Sequence, residues 1–150
     1  MAKFKLTAEN YYSAEANRRY FSVSQYKSFC ECPARTMAMI RGEYEQPPTE
    51  AMLVGSYVDS YFEGTLDEVK AEHPDIFTRK GELKAPFVKA EEIIDRIEAD
   101  ELFTVHMSGE KQVIKTAKMF GAPWKIKMDS YHPDEQIDDL KIMRSLERVM

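Results

Sequence analysis

The 150-residue sequence lacks several features that would point to a membrane or an oxidising compartment. No apolar run approaches 18 residues, so no segment is expected to span a bilayer. The first ten residues contain two lysines but no apolar core, so they do not resemble a signal peptide. The two cysteines, Cys30 and Cys32, are too close together for an ordinary structural disulfide. We therefore expect a cytoplasmic protein with no membrane partner.

The sequence also lacks an excess of positive charge. The net charge is −5 and the isoelectric point is about 5.3, so no global field would attract nucleic acid. Any contact with DNA must come from a local basic patch, which weakens the case for a simple DNA-binding module. With 43% hydrophobic residues, the chain is long enough to bury a core, and we expect one domain over residues 1–150.

A hairpin signal near the C-terminal end places two aspartates together. Trp124–Tyr131 and Ile137–Met143 alternate in character and flank the turn-forming cluster HPDEQ. If the turn closes over those five residues, Asp129 lies directly opposite Asp139, with Cβ atoms roughly 5 Å apart. The two carboxylates repel each other unless a cation lies between them. A surface hairpin with a cross-strand charge pattern is the alternative.

The first two thirds of the chain predict helices. The predicted elements are an irregular stretch at residues 1–20, a helix with its N-cap at Ser24, a break at Pro33 and its end at Gly42, a helix from Thr49 or Glu50 to Gly64, and an amphipathic helix over Phe87–Ala99. Gly55 inside the second of these costs about 1 kcal/mol relative to alanine, so we expect it to mark close packing. Cys30 is expected to be a buried apolar residue.

The last third predicts strands from Gly109 onward, in a three-stranded meander that pairs Met119 with Trp124, and then a helix that starts in residues 143–150. Helices followed by a small, mainly antiparallel sheet make an α+β domain, with the N-terminal helices packed on the sheet. The three histidines are isolated in sequence, and none has a partner at zinc-binding spacing.

Three blocks taken together resemble a known superfamily. SVSQYKSFCECPA, GSYVDSYFEG and GAPWKIKMDSYHPD with IDDLK occur in an order and at separations that resemble PD-(D/E)XK nucleases. The similarity is to the exodeoxyribonuclease VIII (RecE-type) and RecB-like exonucleases of phages and prophages, over roughly Ser22 to Lys141. It implies a restriction-endonuclease-like core and a phosphodiesterase dependent on Mg²⁺ or Mn²⁺. It also implies DNA as the substrate, a single-strand annealing recombinase as a partner, and a homo-oligomer.

The resemblance assigns roles in the hairpin. Asp129 and Asp139 would be metal ligands, and the backbone carbonyl of Leu140 can also face a metal. Lys141 would orient the attacking water and stabilise charge on the phosphate. Lys127 would lie opposite Lys141, where an anion between them would remove the repulsion of like charges.

Further candidates come from the predicted strand register and from the same resemblance. Lys125 shares the face of Lys127 and is a second candidate for contacting the substrate. Asp59 stands where the family has a metal-reaching histidine, with Glu63 one turn later as a substitute, and Glu110 is a further possible ligand. Two cysteines are too few for the iron–sulfur cluster of some relatives, so we expect none.

The sequence departs from the family in one further way. Relatives continue after the lysine strand with more helix and sheet, so the domain is predicted to be C-terminally incomplete. An endonuclease of restriction or repair type, or a non-catalytic metal- or DNA-binding remnant of the same fold, remains an alternative.

Overall fold

The structure is a computed structural model that describes residues 4–143. These residues form an α+β protein, as predicted, with seven α-helices, a 3₁₀ helix and four short strands. The helices are α1 (Ala14–Arg19), α2 (Val23–Glu31), α3 (Pro33–Arg41), α4 (Glu50–Glu63), α5 (Leu66–Glu72), the 3₁₀ helix Pro74–Ile76, α6 (Ala85–Glu98) and α7 (Glu101–His106). The strands are β1 (Val113–Met119), β2 (Ala122–Met128), β3 (Ser130–His132) and β4 (Gln136–Asp138). None of the helices described is both long enough and apolar enough to cross a membrane.

The chain divides into two compact units. The hairpin unit contains Met1–Pro47 and Gln112–Met128, and the carboxylate unit contains Pro48–Lys111 and Asp129–Met150. The first carries α1 to α3 with the ladder β1–β2, and the second carries α4 to α7 with the ladder β3–β4. The predicted three-stranded meander is therefore wrong in the described residues, which form two separate two-stranded antiparallel ladders.

The β1–β2 ladder turns earlier than predicted. Met119 pairs with Ala122 and not with Trp124, because the chain reverses at Phe120 and Gly121. Both turn residues have positive φ, 52° and 78°, as in the type I′ turns whose twist matches two antiparallel strands. The predicted register was displaced by two residues because the prediction placed the turn at the GAP sequence.

The helices of the hairpin unit begin at strong capping signals. The N-cap of α2 is Ser22 and not Ser24, because Ser22 and Gln25 form a capping box. The Ser22 hydroxyl accepts from the Gln25 amide at 3.2 Å, and the Gln25 side chain accepts from the Ser22 amide at 3.0 Å. Pro33 opens α3 and left-handed Gly42 ends it, as predicted. The N-terminal stretch expected to be irregular contains α1.

One further prediction for this unit is wrong. Cys30 was expected to be buried at helical spacing, but it is exposed on α2, and both cysteines are free thiols. The α2 helix has no buried residue within the described structure, so its apolar positions do not form a core.

The core of the carboxylate unit forms where α4 packs against α6. Its buried residues are Tyr57, Val58, Ile76, Phe87, Ala90, Ile94, Ile97 and Met107. The ring of Tyr57 lies 5.6 Å from that of Phe87 between centroids, and its hydroxyl donates to the Glu91 carboxylate. The ends of α4 agree with the prediction, with Thr49 as N-cap and Gly64 left-handed at the C-cap.

The expectation that Gly55 marks a close contact is wrong. A Cβ at this position would meet no other atom of the described residues within 4 Å, apart from the immediate neighbours and the backbone of its own helix. The glycine is in α4 without a packing reason, and it leaves that helix with a residue of low helical propensity.

The predicted strands around the second turn are shorter in the structure. The chain is not strand at Asp129, which separates β2 from β3, and β4 ends at Asp138 instead of continuing to Met143. The helix predicted to start in residues 143–150 lies, except for its first residue, outside the described residues.

Candidate active site

The register of the β3–β4 ladder brings two aspartates to the same end of that ladder. Ser130 pairs with Asp138 and His132 with Gln136, which is the register predicted from a five-residue turn. Asp129 and Asp139 are the next residues beyond the last pair of this ladder.

Contacts between the two aspartates agree with that placement. Burial raises the pKa of Asp129, the Leu140 amide lowers it, and the charge of Asp139 raises it. The Leu140 amide donates to Asp129 Oδ2 at 2.9 Å. The two carboxyl groups are therefore within electrostatic reach of each other, which disfavours ionisation of both at once.

A third carboxylate reaches this cluster from α4. The pKa of Asp59 is raised to about 7. Burial is the largest cause, the negative charges of Asp129, Glu63 and Asp139 also raise it, and Lys141 lowers it. Asp59 is therefore within electrostatic range of Asp129 and Asp139, and it comes from α4, which carries the position at which the family has histidine. Glu63, one turn later on α4, adds a fourth negative charge nearby.

Lys141 is the cation of the cluster. Its Nζ lies 2.6 Å from Asp139 Oδ2, and both side chains are more than half exposed. Burial lowers the pKa of Lys141, but the hydrogen bond that it donates to Asp139 and the charges of the aspartates together raise it above its ordinary value. Lys141 is therefore an ammonium at neutral pH.

Lys111 is a second nearby cation, one that the sequence did not indicate. Its Nζ donates to the carbonyl of Met107, just beyond α7. Burial lowers the pKa of Lys111, whereas the charges of Asp129, Glu63 and Asp138 raise it. Lys111 precedes β1 in a stretch predicted to be strand, and only the ladder topology brings it toward the carboxylates, so no sequence signal could have identified it.

Asp138, the neighbour of Asp139, has a structural role. His106 Nδ1 lies 2.8 Å from Asp138 Oδ1, and Gln136 Nε2 donates to Asp138 Oδ2 at 3.0 Å. His106 is isolated in sequence, and the fold places it beside Asp138. These contacts attach β4 to the end of α7. Beside them is a cavity of about 180 Å³, which Asp138, Asp139 and Leu140 help to line.

Strand β3 is also attached to the end of α7 by hydrogen bonds. Ser130 is fully buried, and its hydroxyl donates to the His106 carbonyl at 2.6 Å and accepts from the Gly109 amide at 2.9 Å. A Cβ at Gly109 would lie 2.6 Å from Ser130 Oγ and 2.7 Å from the Tyr131 carbonyl, so this position requires glycine. The approach of the backbone at Gly109 therefore helps to fix the segment that follows Asp129.

Glu110 does not join the carboxylate cluster in the described structure. Its backbone exchanges two hydrogen bonds with Tyr131, at 2.8 and 2.9 Å, while its side chain is exposed. Glu110 is not among the charges that shift the pKa of Asp59 or Asp129. The predicted strand character of this stretch is present, but it uses the backbone of Glu110 and not its carboxylate.

Lys125 and Lys127 belong to the hairpin unit. Lys125 is 4% exposed, and its Nζ donates to the Tyr11 carbonyl and, at 2.7 Å, to Asn17 Oδ1. The Nζ of Lys127 lies 4.8 Å from the centroid of the Tyr12 ring. The predicted strand register that set Lys127 opposite Lys141 is wrong, since β4 ends at Asp138 and Lys127 pairs with Ile114 of β1.

The donor set suits a hard divalent ion. Asp59, Asp129 and Asp139 supply carboxylate oxygens, which Mg²⁺ and Mn²⁺ prefer over nitrogen or sulfur. In the described residues, no group of three or more His, Cys, Asp and Glu side chains is already arranged to hold a metal. The ion pair between Lys141 and Asp139 neutralises part of the charge that a cation would neutralise. The chemistry of the site therefore fits the ion, and its binding would compete with this pair.

An α+β fold with two hairpin aspartates, a helical acid and a lysine two residues after the second aspartate defines the site of PD-(D/E)XK nucleases. Residues 22–149 match the family of PDDEXK-like domains of unknown function, DUF3799, and the chain belongs to that family. PDDEXK nucleases in general use divalent metals.

The chain is also similar to one solved structure, a candidate exonuclease from Eubacterium rectale. The two are 56% identical, with a TM-score of 0.93 over 97% of this chain. The chain spans 57% of the length of that relative. No curated protein matches the chain. The family and the solved relative both support membership of the PD-(D/E)XK nuclease superfamily.

Proposed function

We propose that this chain carries the active site of a Mg²⁺- or Mn²⁺-dependent deoxyribonuclease, an exonuclease of phage or prophage recombination that degrades DNA from duplex ends. The observation that carries the proposal is the convergence of Asp59, Asp129, Asp139 and Lys141 in one cluster. These three acids and Glu63 outnumber the two nearby cations, Lys141 and Lys111, and a divalent cation between the acids would remove the repulsion.

The acids have the first role. Asp59, Asp129 and Asp139 would hold the ion, and the carbonyl of Leu140 is a further oxygen at the same end of the hairpin. When bound, a divalent ion polarises the phosphate and lowers the pKa of a bound water. The Leu140 amide, which donates to Asp129, orients that carboxylate before any ion is present.

Lys141 has the second role. In the absence of an ion, the raised pKa of Lys141 keeps this side chain an ammonium at neutral pH. As an ammonium it can orient a water through its protons and stabilise the negative charge that develops on the phosphate during hydrolysis. If Lys141 bound a phosphate oxygen instead of Asp139, its positive charge would lie beside the substrate.

The exonuclease assignment and the biological setting rest on the resemblance of the three sequence blocks. The solved relative, described as a candidate exonuclease, is consistent with that choice. In this setting the product is single-stranded DNA, and the partner would be a single-strand annealing recombinase. A homo-oligomer around the DNA would accompany this activity.

The test compares end-labelled linear duplex with closed circular DNA, each with Mg²⁺, Mn²⁺ or a chelator. An exonuclease releases label from the linear duplex and leaves the circle closed, and the chelator abolishes the reaction. Opening of the circle would instead indicate an endonuclease. Stabilisation of the fold by metal without cleavage of either DNA would indicate a non-catalytic remnant. Cleavage that persists in Asp139→Asn at the parent rate would refute the proposed site.

A further inference from the structure

The hairpin unit exposes a continuous group of apolar side chains beside the β1–β2 turn, which we name the stacking face: Phe21, Met119, Phe120, Trp124 and Ile126. Met119, Trp124 and Ile126 share one face of the ladder, because side chains alternate along each strand and paired residues point the same way. Phe120 is 94% exposed, and the other members apart from Trp124 are between 41% and 48% exposed. Exposed apolar groups of this extent commonly mark a binding surface.

Phe120 occupies a position that the turn itself disfavours. Its φ is 52°, in the left-handed region, where a bulky side chain costs about 1–2 kcal/mol and where Asn or Gly is the usual residue. Asn-Gly would form this type I′ turn without that cost. At 94% exposure, Phe120 also gains little from burial. Neither turn geometry nor packing explains a phenylalanine at this position.

The ring of Trp124 is held in place at the centre of the stacking face. Its indole N–H donates to the Met119 carbonyl at 3.0 Å, so the polar edge of the ring is satisfied within the hairpin. The Phe21 ring lies 5.7 Å from it between centroids, and the Phe120 ring lies 6.3 Å away in an edge-to-face arrangement. The backbone of Phe21 bonds to β2 on both sides, donating to the Pro123 carbonyl and accepting from the Lys125 amide, each at 2.8 Å. The aromatic group is therefore ordered before any ligand binds.

The charge around this face is positive. Residues 112–128 contain four lysines and no acidic residue. Lys115 is exposed on β1 and pairs with Ile126, so it lies on the same face of the ladder as Met119 and Trp124. An aromatic face with a lysine beside it is complementary to an unpaired nucleic-acid strand, since the rings can stack on bases while the ammonium group meets a phosphate. A duplex hides the faces of its bases, so it offers no partner for the rings.

We propose that the stacking face binds single-stranded DNA, with Phe120 and Trp124 stacking on unpaired bases and Lys115 contacting the backbone. The inference rests on the proposed function in that it takes DNA as the ligand. It assigns to the hairpin unit the strand that an exonuclease leaves behind or separates, and not the scissile phosphate.

Trp124 is the only tryptophan of the chain, so its fluorescence reports directly on this face. Titration with oligo-dT in a chelator, where no cleavage occurs, should quench that fluorescence. Removing one stacked ring costs about 1–3 kcal/mol, so Phe120→Ala should weaken binding about 5- to 150-fold. Phe120→Tyr should restore it. A blunt duplex should produce little quenching.

Phe120→Asn separates binding from folding. Asn-Gly suits the turn, so this variant should melt at or above the parent temperature and still lose binding as Phe120→Ala does. Tyr44→Ala, which removes an exposed aromatic outside the stacking face, is the matched control and should bind like the parent. Lys115→Ala should reduce the dependence of log binding constant on log salt concentration by about 0.7.

Parent-like binding by Phe120→Asn, or equal binding of duplex and oligo-dT, would overturn the inference. Absence of any oligo-dT binding would also overturn it and leave the face as a contact for a protein. Failure of the proposed function is seen separately, because cleavage is measured with metal and depends on Asp139, whereas this binding is measured in a chelator. A nuclease that binds oligo-dT independently of Phe120 would contradict only the inference made here.

Discussion

The two units of the chain differ in charge far more than the whole chain suggests. The hairpin unit has 11 Lys and Arg residues against 5 Asp and Glu, a net charge of +6, whereas the carboxylate unit has 10 against 21, a net charge of −11. The overall value of −5 is the difference between two larger opposite charges. An acidic isoelectric point therefore does not argue against a nucleic-acid ligand, because the positive charge that such a ligand requires is concentrated in one unit.

The units also differ in which aromatic and charged side chains they bury and which they expose. The carboxylate unit buries Tyr57 and Phe87 in its core and gathers acids around Lys141. The hairpin unit exposes Phe120 and buries the ammonium of Lys125. This contrast teaches that the candidate chemistry and the candidate strand-binding surface lie in different units, so substitutions should separate them.

The largest expected effect is on cleavage and comes from Lys141. Lys141→Met should lower the cleavage rate about 10²- to 10³-fold, as loss of one preorganised charge at a developing oxyanion does. The same variant should keep the rise in melting temperature caused by Mg²⁺ or Mn²⁺, because the lysine does not hold the ion. Asp139→Asn should lose both cleavage and that rise, which reflects ligand bound only to the native state.

Lys89→Met, in an exposed lysine of α6, is the matched control and should retain both properties. If Asp139→Asn kept the full metal-induced stabilisation, the assignment of Asp139 as a ligand would be wrong. If Lys141→Met cut DNA at the parent rate, its role in stabilising charge would be wrong.

The next largest effect is structural and belongs to the carboxylate unit alone. Gly109→Ala should lower the free energy of unfolding by about 2–3 kcal/mol, because its Cβ would meet Ser130 Oγ at 2.6 Å and a backbone carbonyl at 2.7 Å. Urea denaturation followed by helical circular dichroism measures the loss. Gly109→Ala with parent stability would show that the backbone near Asp129 can shift freely, contrary to the close approach described above.

A smaller effect, about 1–3 kcal/mol after allowance for solvent screening, should distinguish the units by pH in the absence of metal. Burial lowers the pKa of Lys125 from 10.5 to about 8, so the unfolded chain binds more protons between these values and stability should rise with pH across that window. The pKa of Asp59 is raised from 3.8 to about 7, so its contribution is full below pH 3.8 and is lost as pH rises through 7.

The measurement is the free energy of unfolding against pH for each unit's variant. Relative to the parent, Lys125→Met should remove the rise between pH 8 and 10.5, and Asp59→Asn should remove part of the fall between pH 4 and 7. Parallel profiles for parent and variant in either window would contradict the burial argument for that residue.

The smallest effect is a gain. Gly55→Ala should raise the free energy of unfolding by about 0.5–1 kcal/mol, since it replaces glycine inside α4 where the added Cβ meets no described atom beyond its own helix and chain neighbours. Compared with Gly109→Ala it reverses the sign of the same substitution within the same unit. A loss of stability at Gly55 would mean that α4 has a neighbour at this position.

Local signals predicted most of the fold. Thr49 and Gly64 bound α4 because capping needs only a few neighbouring residues. The alignment of Asp129 with Asp139 followed from turn length and strand alternation, which are also local. The N-cap of α2 was predicted at Ser24 instead of Ser22 because both are serines. Only Ser22 has a glutamine three residues later to complete the capping box.

Features that depend on tertiary contacts could not be predicted. Lys125 was expected to reach a substrate, yet contacts with Tyr11 and Asn17, more than 100 residues earlier, bury it. The β1–β2 register was displaced because a phenylalanine in the left-handed region is a poor turn signal. The electrostatic couplings of Asp59 with Asp129 and Asp139 require α4 to lie near the β3–β4 segment, which the sequence suggested only through a family resemblance.

Leu140 occupies the position that the Asp-x-Lys motif leaves unspecified. In this structure its amide donates to Asp129, its carbonyl accepts from Lys141 at 3.4 Å, and its side chain packs against the core of the carboxylate unit. Because backbone groups are common to all amino acids, the first two contacts place no restriction on its identity, whereas the third selects for an apolar side chain. Evolutionary drift at this site should therefore run among leucine, isoleucine, valine and methionine, and a library randomised here should lose its polar members by unfolding before selection for activity acts.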